Sequence, residues 1–224
     1  MSDPIRVMVE CGKKKRTVAV AIDWPGWVRS GRSEEDALGV LGAYRPRYSS
    51  VAGIAGLKDE FAATGEFSVV DRIPGTGLTD FYGMSGTWIE LEKATMDEDD
   101  CERELALLKA SWACFDEVAG RVSTELRKGP RGGGRERDAI VRHARLAEIE
   151  LFAPKVGVNA TLDTWASPEA VHAYREAFCA AIRDHNARGV TAGPVAKWPI
   201  RYLIRHSTAH MLDHAWEMED RDLS

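Results

Sequence analysis

The chain has 224 residues, of which 44% are hydrophobic and 29% are charged, and its formal net charge is −5. This composition is that of a soluble globular protein with a real core, so extended disorder is not expected. The acidic balance argues against a nucleic-acid-binding function, and no apolar run reaches the ~18 residues of a membrane span. We expect a cytoplasmic protein, because the N-terminus lacks the pattern of a signal peptide and the four scattered cysteines suit reduced thiols better than disulfides.

The first 93 residues have the pattern of a β-rich domain. Short β-branched runs predict strands at 5–10, 17–22, 67–70 and 88–91, with glycines between the later ones. Ser33 precedes three acidic residues and predicts the N-cap of a helix over 34–48. An exposed strand edge in this half would allow the chain to form a homodimer.

Residues 94–224 have a helical periodicity instead. Apolar residues at helical spacing predict four helices, at 102–126, 138–152, 168–186 and 199–221. Ser167 before Pro168 is a typical start for the third of these helices. The predicted fold is therefore α+β, with a small N-terminal β-rich domain at 1–93 and a C-terminal four-helix bundle at 94–224. The Gly/Arg-rich loop at 128–135 is either a flexible connector, which we favour, or an anion site beside the second bundle helix.

All six histidines lie in the C-terminal half, and three of them share the last predicted helix. At ~100° per residue, His206, His210 and His214 form one stripe, in which His210 and His214 border the apolar arc and His206 lies toward the polar side. His143 lies in the middle of the apolar face of the second bundle helix. We interpret His172 and His185 as surface residues.

Three inward-facing imidazoles favour a metal site. Burying them without a partner would leave ring nitrogens unsatisfied, whereas one divalent ion satisfies three nitrogens at once. His143, His210 and His214 are the predicted ligands, and three neutral ligands leave positions open for water or a substrate. Glu217 is the candidate catalytic residue, as a base or as a group that orients a ligand, while Glu150 is more simply a solvated carboxylate at a helix end.

The sequence around these residues resembles the DinB-like superfamily, which includes YfiT-like metal proteins and mycothiol-dependent enzymes. His143 in VRHARLAEIEL corresponds to that family's first ligand, and His210 and His214 in HMLDHAWEMEDR correspond to its H-x-x-x-H pair. Glu217 stands where the family often has Gln. An alternative register would use His206 and His210 with Asp213, but the helical positions favour the pair 210/214.

The resemblance implies an up-down-down-up four-helix bundle and a divalent metal cofactor, most simply zinc or nickel. It also implies activation of a low-molecular-weight thiol, or of water, for transfer to a small electrophilic substrate. A weaker similarity to the HicB-type fold covers the N-terminal part, including VMVECGKKKRTVAVAIDWPGWVRSGRSEEDAL. An alternative function therefore stays open, in which the HicB-like half binds a partner as an interaction or sensor module and the bundle is only structural.

Overall fold

The computed structural model describes residues 3–129, 134–189 and 198–223. The strands are β1 (Ile5–Cys11), β2 (Thr17–Ala21), β3 (Val28–Gly31) and β4 (Phe67–Pro74). The helices are α1 (Glu34–Ala43), α2 (Arg45–Ile54), α3 (Lys58–Ala62), α4 (Gly77–Tyr82), α5 (Glu98–Arg121), α6 (Arg137–Ala147), α7 (Pro168–Ala187) and α8 (Ile200–Asp220). The protein is therefore of mixed α+β type, with a small sheet at the N-terminus followed by helices.

The four strands form one sheet in the order β3-β2-β1-β4. β1 pairs antiparallel with β2 and parallel with β4, and β3 is antiparallel to β2. Alternate residues of β1 pack on opposite faces: Val7 and Val9 contact the cluster that contains α1 and α2 residues, whereas Met8 packs with Ile89. Both faces of the central strands are thus covered, which explains why every residue of β2 is buried.

Several local predictions for the N-terminal half need correction. The helix predicted at 34–48 is two helices, α1 and α2, because Pro46 lacks the N–H needed to continue α1 and instead occupies the first turn of a new helix. The strand predicted at 88–91 is wrong: Glu90–Lys93 forms a 3₁₀ turn whose Glu92 side chain accepts a hydrogen bond from the Ile89 N–H. Strand β3 and helices α3 and α4 were not predicted; α4 lies in a stretch that its glycines had assigned to loops.

The helices of the second half have defined relative directions. Arg201 at the start of α8 pairs with Asp100 at the start of α5, and Arg121 at the end of α5 pairs with Glu219 at the end of α8, so these two helices are parallel. α7 runs antiparallel to α5, since Arg183 pairs with Glu102 and Arg175 with Asp116.

α6 runs antiparallel to α8. The Arg135 carbonyl before α6 accepts a hydrogen bond from Arg221 at the end of α8, and Phe152 beyond α6 packs on His206 near the start of α8. After Ala147 the helix continues as a π-helical turn, Glu148–Phe152, followed by 3₁₀ turns at Ala153–Val156 and Leu162–Ala166.

α8 is the central helix of the molecule. Leu203, Met211 and Met218 belong to the core shared with α5, α6 and α7, whereas Leu212 and Trp216 belong to the core of the sheet-containing half. α8 is therefore covered on most of its circumference. None of the described helices is long and apolar enough to cross a membrane.

Candidate metal centre

Antiparallel packing of α6 against α8 brings His143 beside His210 and His214. The ring centroid of His143 lies 5.3 Å from that of His210 and 4.9 Å from that of His214. The two α8 rings are 4.6 Å apart, as the i, i+4 spacing on one helix face predicts. Within the described ranges, these three residues form the one group of histidine, cysteine or carboxylate side chains close enough to hold a metal ion.

The separations of the candidate ligand atoms suit a single ion. One ring nitrogen from each histidine lies within 4.8 Å of the other two. Nitrogens held about 2.1 Å from a tetrahedral ion are roughly 3.4 Å apart, so modest rotation of the side chains would complete the coordination. The geometry therefore fits the ligand set predicted from the sequence.

His214 is held in one orientation by Glu217. The Nδ1 atom of His214 lies 2.9 Å from a Glu217 carboxylate oxygen. An ionised carboxylate can only accept, so Nδ1 carries the proton and the lone pair of Nε2 is left for an ion. The hydrogen bond from His214 is also the main reason why the pKa of Glu217 is lowered.

Arg221 extends this chain of contacts. Its guanidinium donates to the second Glu217 oxygen at 2.8 Å and to the carbonyls of Arg127 and Arg135. The carboxylate of Glu217 is thus fixed from both sides, which is typical of a residue that orients a metal ligand. Arg221 was missed in the sequence, although its i+4 spacing from Glu217 is a signal that could have identified it.

His210 is the most deeply buried of the three histidines, with only 7% of the residue exposed. The centroid of the Phe152 ring lies 5.6 Å from that of His210. The Nδ1 atom of His210 is buried and has no hydrogen-bond partner among the described residues. Burial and then the neighbouring histidines lower its pKa to about 2. His210 is therefore neutral at physiological pH, which is the state that binds a metal ion.

His143 lies at the partly exposed side of the group. Its pKa is lowered first by burial and then by His214. His214 is also partly accessible, with 12% of its side chain exposed. The three-histidine group is therefore close to the surface, and a small ligand could approach it from the His143 side.

The expected polar position of His206 is wrong. His206 is 5% exposed and packs against Phe152, Trp198 and Tyr202. Burial and the nearby Arg205 lower its pKa to about 4. The helical wheel missed this because the segment near Ser85 and the turn after α6 cover a face of α8 that periodicity alone assigns to solvent.

The alternative ligand set is not assembled. His206 does not belong to the histidine group, and Asp213 is exposed and pairs with Arg29 at 2.9 Å. Among the other predicted surface groups, His172 and Glu150 are exposed, whereas His185 is partly buried with its Nδ1 atom 2.9 Å from the Ala181 carbonyl oxygen. Residues 130–133 of the Gly/Arg-rich loop lie outside the described ranges, so both interpretations of that loop stay predictions.

Comparisons of the chain with family models, curated proteins and solved structures found no significant match.

Proposed function

We propose that the protein is a DinB-like metalloprotein in which His143, His210 and His214 hold one divalent ion. The observation that carries this proposal is the convergence of three imidazoles from two helices, with their candidate ligand atoms within 4.8 Å of one another. The unpartnered Nδ1 atom of buried His210 supports it further, since a buried ring nitrogen otherwise needs a hydrogen bond. The directions of α5 to α8, parallel for the first and last helix, support an up-down-down-up four-helix bundle.

The ligand set favours a reactive site over a structural one. Structural zinc sites are usually closed by four protein ligands, whereas three histidines leave positions for an exogenous ligand. Neutral imidazoles suit zinc and nickel among the late first-row ions. The partly exposed edge at His143 would admit that ligand.

We propose a thiol-dependent or water-dependent transfer to a small electrophilic molecule. The bound ion would supply a Lewis acid that lowers the pKa of a coordinated thiol or water near neutral pH. Glu217 would act as a positioning residue, because its carboxylate orients the His214 ring and is itself held by Arg221. This role differs from that of a general base, for which Glu217 would need a free oxygen facing the substrate.

Metal content is the direct test of this function. Untagged protein should hold about one equivalent of zinc or nickel, His210→Ala should lose it, and the exposed-histidine control His172→Ala should retain it. Circular dichroism would establish that His210→Ala is folded. Full metal retention in folded His210→Ala would contradict the site.

Catalysis has its own test. Turnover of a panel of electrophiles with low-molecular-weight thiols should disappear on chelation and return on addition of the ion. Chelation-insensitive turnover, or a metal-loaded protein inert with every thiol and electrophile and with water alone, would count against the enzymatic proposal but not against the metal site.

One observation favours a second candidate function as an interaction module. Leu78, Phe81 and Tyr82 on the short helix α4 are exposed, at 36%, 65% and 70%. Adjacent exposed aromatic side chains are typical of surfaces that contact other proteins. This interpretation would take precedence if untagged protein held no metal and no divalent ion raised its melting temperature.

A further inference from the structure

A groove lies on the side of α6 that faces away from the histidine group. It has a volume of about 730 Å³ and is lined by residues of α5, α6, α7 and the turn Leu162–Ala166. Val141 and Arg145 line it from α6, each about 200° around the helix from His143. None of the three histidines of the candidate metal centre contributes to its lining. The groove is therefore separate from the proposed metal site.

Unpartnered polar atoms concentrate around this groove. In the described part of the chain, seven buried side-chain polar atoms that lack a hydrogen-bond partner belong to residues that line the groove or contact its lining. They are Trp112 Nε1, Arg145 Nε, both carboxylate oxygens of Glu148, Trp165 Nε1, Tyr174 Oη and Arg175 Nε. Because buried polar groups in proteins are nearly always hydrogen-bonded, such a concentration indicates a place where water or a ligand supplies the partners.

One arginine that lines the groove has no direct ion-pair partner among the described residues. Arg175 pairs with Asp116 at 2.7 Å and Arg137 pairs with Asp138 at 2.9 Å. The Arg145 guanidinium forms no hydrogen bond or ion pair with any described residue, and it lies 5.5 Å from the centre of the Trp165 ring. Asp116 is near enough to attract Arg145 electrostatically, but its carboxylate pairs directly with Arg175. The groove therefore offers a guanidinium whose hydrogen-bond donors are open to a ligand, beside an aromatic surface.

Glu148 cancels little of the Arg145 charge below neutral pH. The residue is fully buried and has Arg145, Arg175, Asp116 and Tyr174 around it. Burial raises its pKa to about 7, so its carboxyl is largely uncharged below neutral pH. The Tyr174 hydroxyl is near enough to influence that pKa, although the two groups do not reach good hydrogen-bond geometry.

We propose that this groove binds a small organic anion, whose carboxylate or phosphate pairs with Arg145 and whose flat apolar part packs on Trp165. The unpartnered atoms support an anion over a cation, because the three that belong to lining residues, on Arg145, Trp165 and Arg175, are all N–H donors. Guanidinium groups are well suited to planar or tetrahedral anions through charge-assisted hydrogen bonds. The volume lies within the roughly 300–1,000 Å³ typical of small-molecule sites.

Benzoate, phenyl phosphate and neutral benzyl alcohol are suitable probes, measured by isothermal titration calorimetry at constant ionic strength. At least one anion should bind, and the neutral probe should bind at least about 10-fold more weakly, since a hydrogen bond to a charged group contributes roughly that factor. The comparison of benzoate with phenyl phosphate decides which anionic group the groove prefers. Absence of binding by both anions, or equal binding of the alcohol, would overturn the proposal.

Variants locate the probe within the groove. Arg145→Gln should weaken anion binding at least about 10-fold, whereas Arg142→Gln, which removes an exposed arginine three residues earlier on the same helix, should leave it unchanged. Trp165→Leu should weaken the binding of both anionic probes even though Arg145 is unchanged. Unchanged binding in Arg145→Gln would contradict the assignment.

Protein treated with a chelator should bind the anion, and Arg145→Gln should weaken that binding, because the groove shares no residue with the histidine group. Added ion can only create a further anion site at the histidines, since carboxylates and phosphates also bind open coordination positions. Anion binding that requires the ion, or that disappears on addition of the ion, would show that the probe occupies the metal centre and would overturn the proposal. Failure of the metal proposal alone would leave the expected anion binding unchanged, so the two proposals can be separated.

Discussion

The carboxylate of Glu217 lies between His214 and Arg221, accepting from the His214 ring at 2.9 Å and from the Arg221 guanidinium at 2.8 Å. His214 and Glu217 lie on the last part of α8, and Arg221 follows its last residue. They are spaced three and four residues apart, so their side chains lie on one face of the helix. This arrangement makes the orientation of one proposed metal ligand, His214, depend on a residue outside the proposed ligand set.

Glu217→Ala should therefore lower the affinity for zinc about 10- to 100-fold, as loss of a partner that orients a metal ligand typically does. Glu217→Gln should lose less, because the amide oxygen can still accept from Nδ1 of His214. Competition with a chelator of known affinity measures both. The matched control is Glu150→Gln, since Glu150 is an exposed carboxylate on the turn after α6; equal affinities in wild type and Glu217→Ala would contradict the orienting role.

The metal-free protein should lose stability in mild acid through His206. Burial lowers the folded-state pKa of His206 to about 4 from 6.5, so its contribution is complete above pH 6.5 and is lost as the pH falls toward 4. Between pH 7 and pH 5 this amounts to about 2 kcal/mol of unfolding free energy. Urea titrations in chelator should show His206→Gln with a shallower loss over that range than wild type. A parallel pH dependence of the two proteins would exclude His206 as a cause.

Glu148 should have the opposite effect, because the protein should lose stability through this group as the pH rises. Its folded-state pKa of about 7 lies above the ordinary value of 4.5, so the stability that depends on this group is greatest below pH 4.5 and falls as the pH rises toward 7. Glu148→Gln removes the charge that would have to be buried, and we expect it to raise the unfolding free energy by roughly 1–3 kcal/mol at pH 8. The gain should shrink at pH 5. Denaturation of this variant and of Glu150→Gln at both pH values provides the comparison; destabilisation at pH 8 would mean that Glu148 is needed as a charged partner.

The ion pair between Arg205 and Glu92 joins α8 to the segment that covers the sheet. Both side chains are 2% exposed, with Arg205 Nε 2.6 Å from the Glu92 carboxylate, and Arg205 also donates to Ser85 Oγ and the Thr87 carbonyl. Glu92→Ala should cost about 3–5 kcal/mol, because it leaves a buried guanidinium without its counter-charge.

The double variant Glu92→Leu with Arg205→Met should cost less than Glu92→Ala, since no uncompensated charge is left behind. A double-mutant cycle on unfolding free energies would measure the coupling. Additive losses for the two positions would show that the pair does not act as a unit.

Local features of this protein were predictable from sequence because each depends on residues a few positions apart. Ser33 and Ser167 do cap α1 and α7, accepting from the N–H groups of Asp36 and Ala170. The i, i+4 spacing of His210 and His214 places them on one face of α8 whatever packs against it. The α+β class followed equally from the change of hydrophobic period between the two halves.

The remaining features depend on contacts between segments far apart in the chain. His206 is buried because the segment near Ser85 and the turn at Phe152 close over α8, and neither segment belongs to the local pattern of that helix. Arg145 has no direct ion pair because Asp116 of α5 pairs with Arg175 of α7 instead. Helical periodicity determines the direction in which a side chain leaves its own helix, but only the packing of the other helices determines what it meets there.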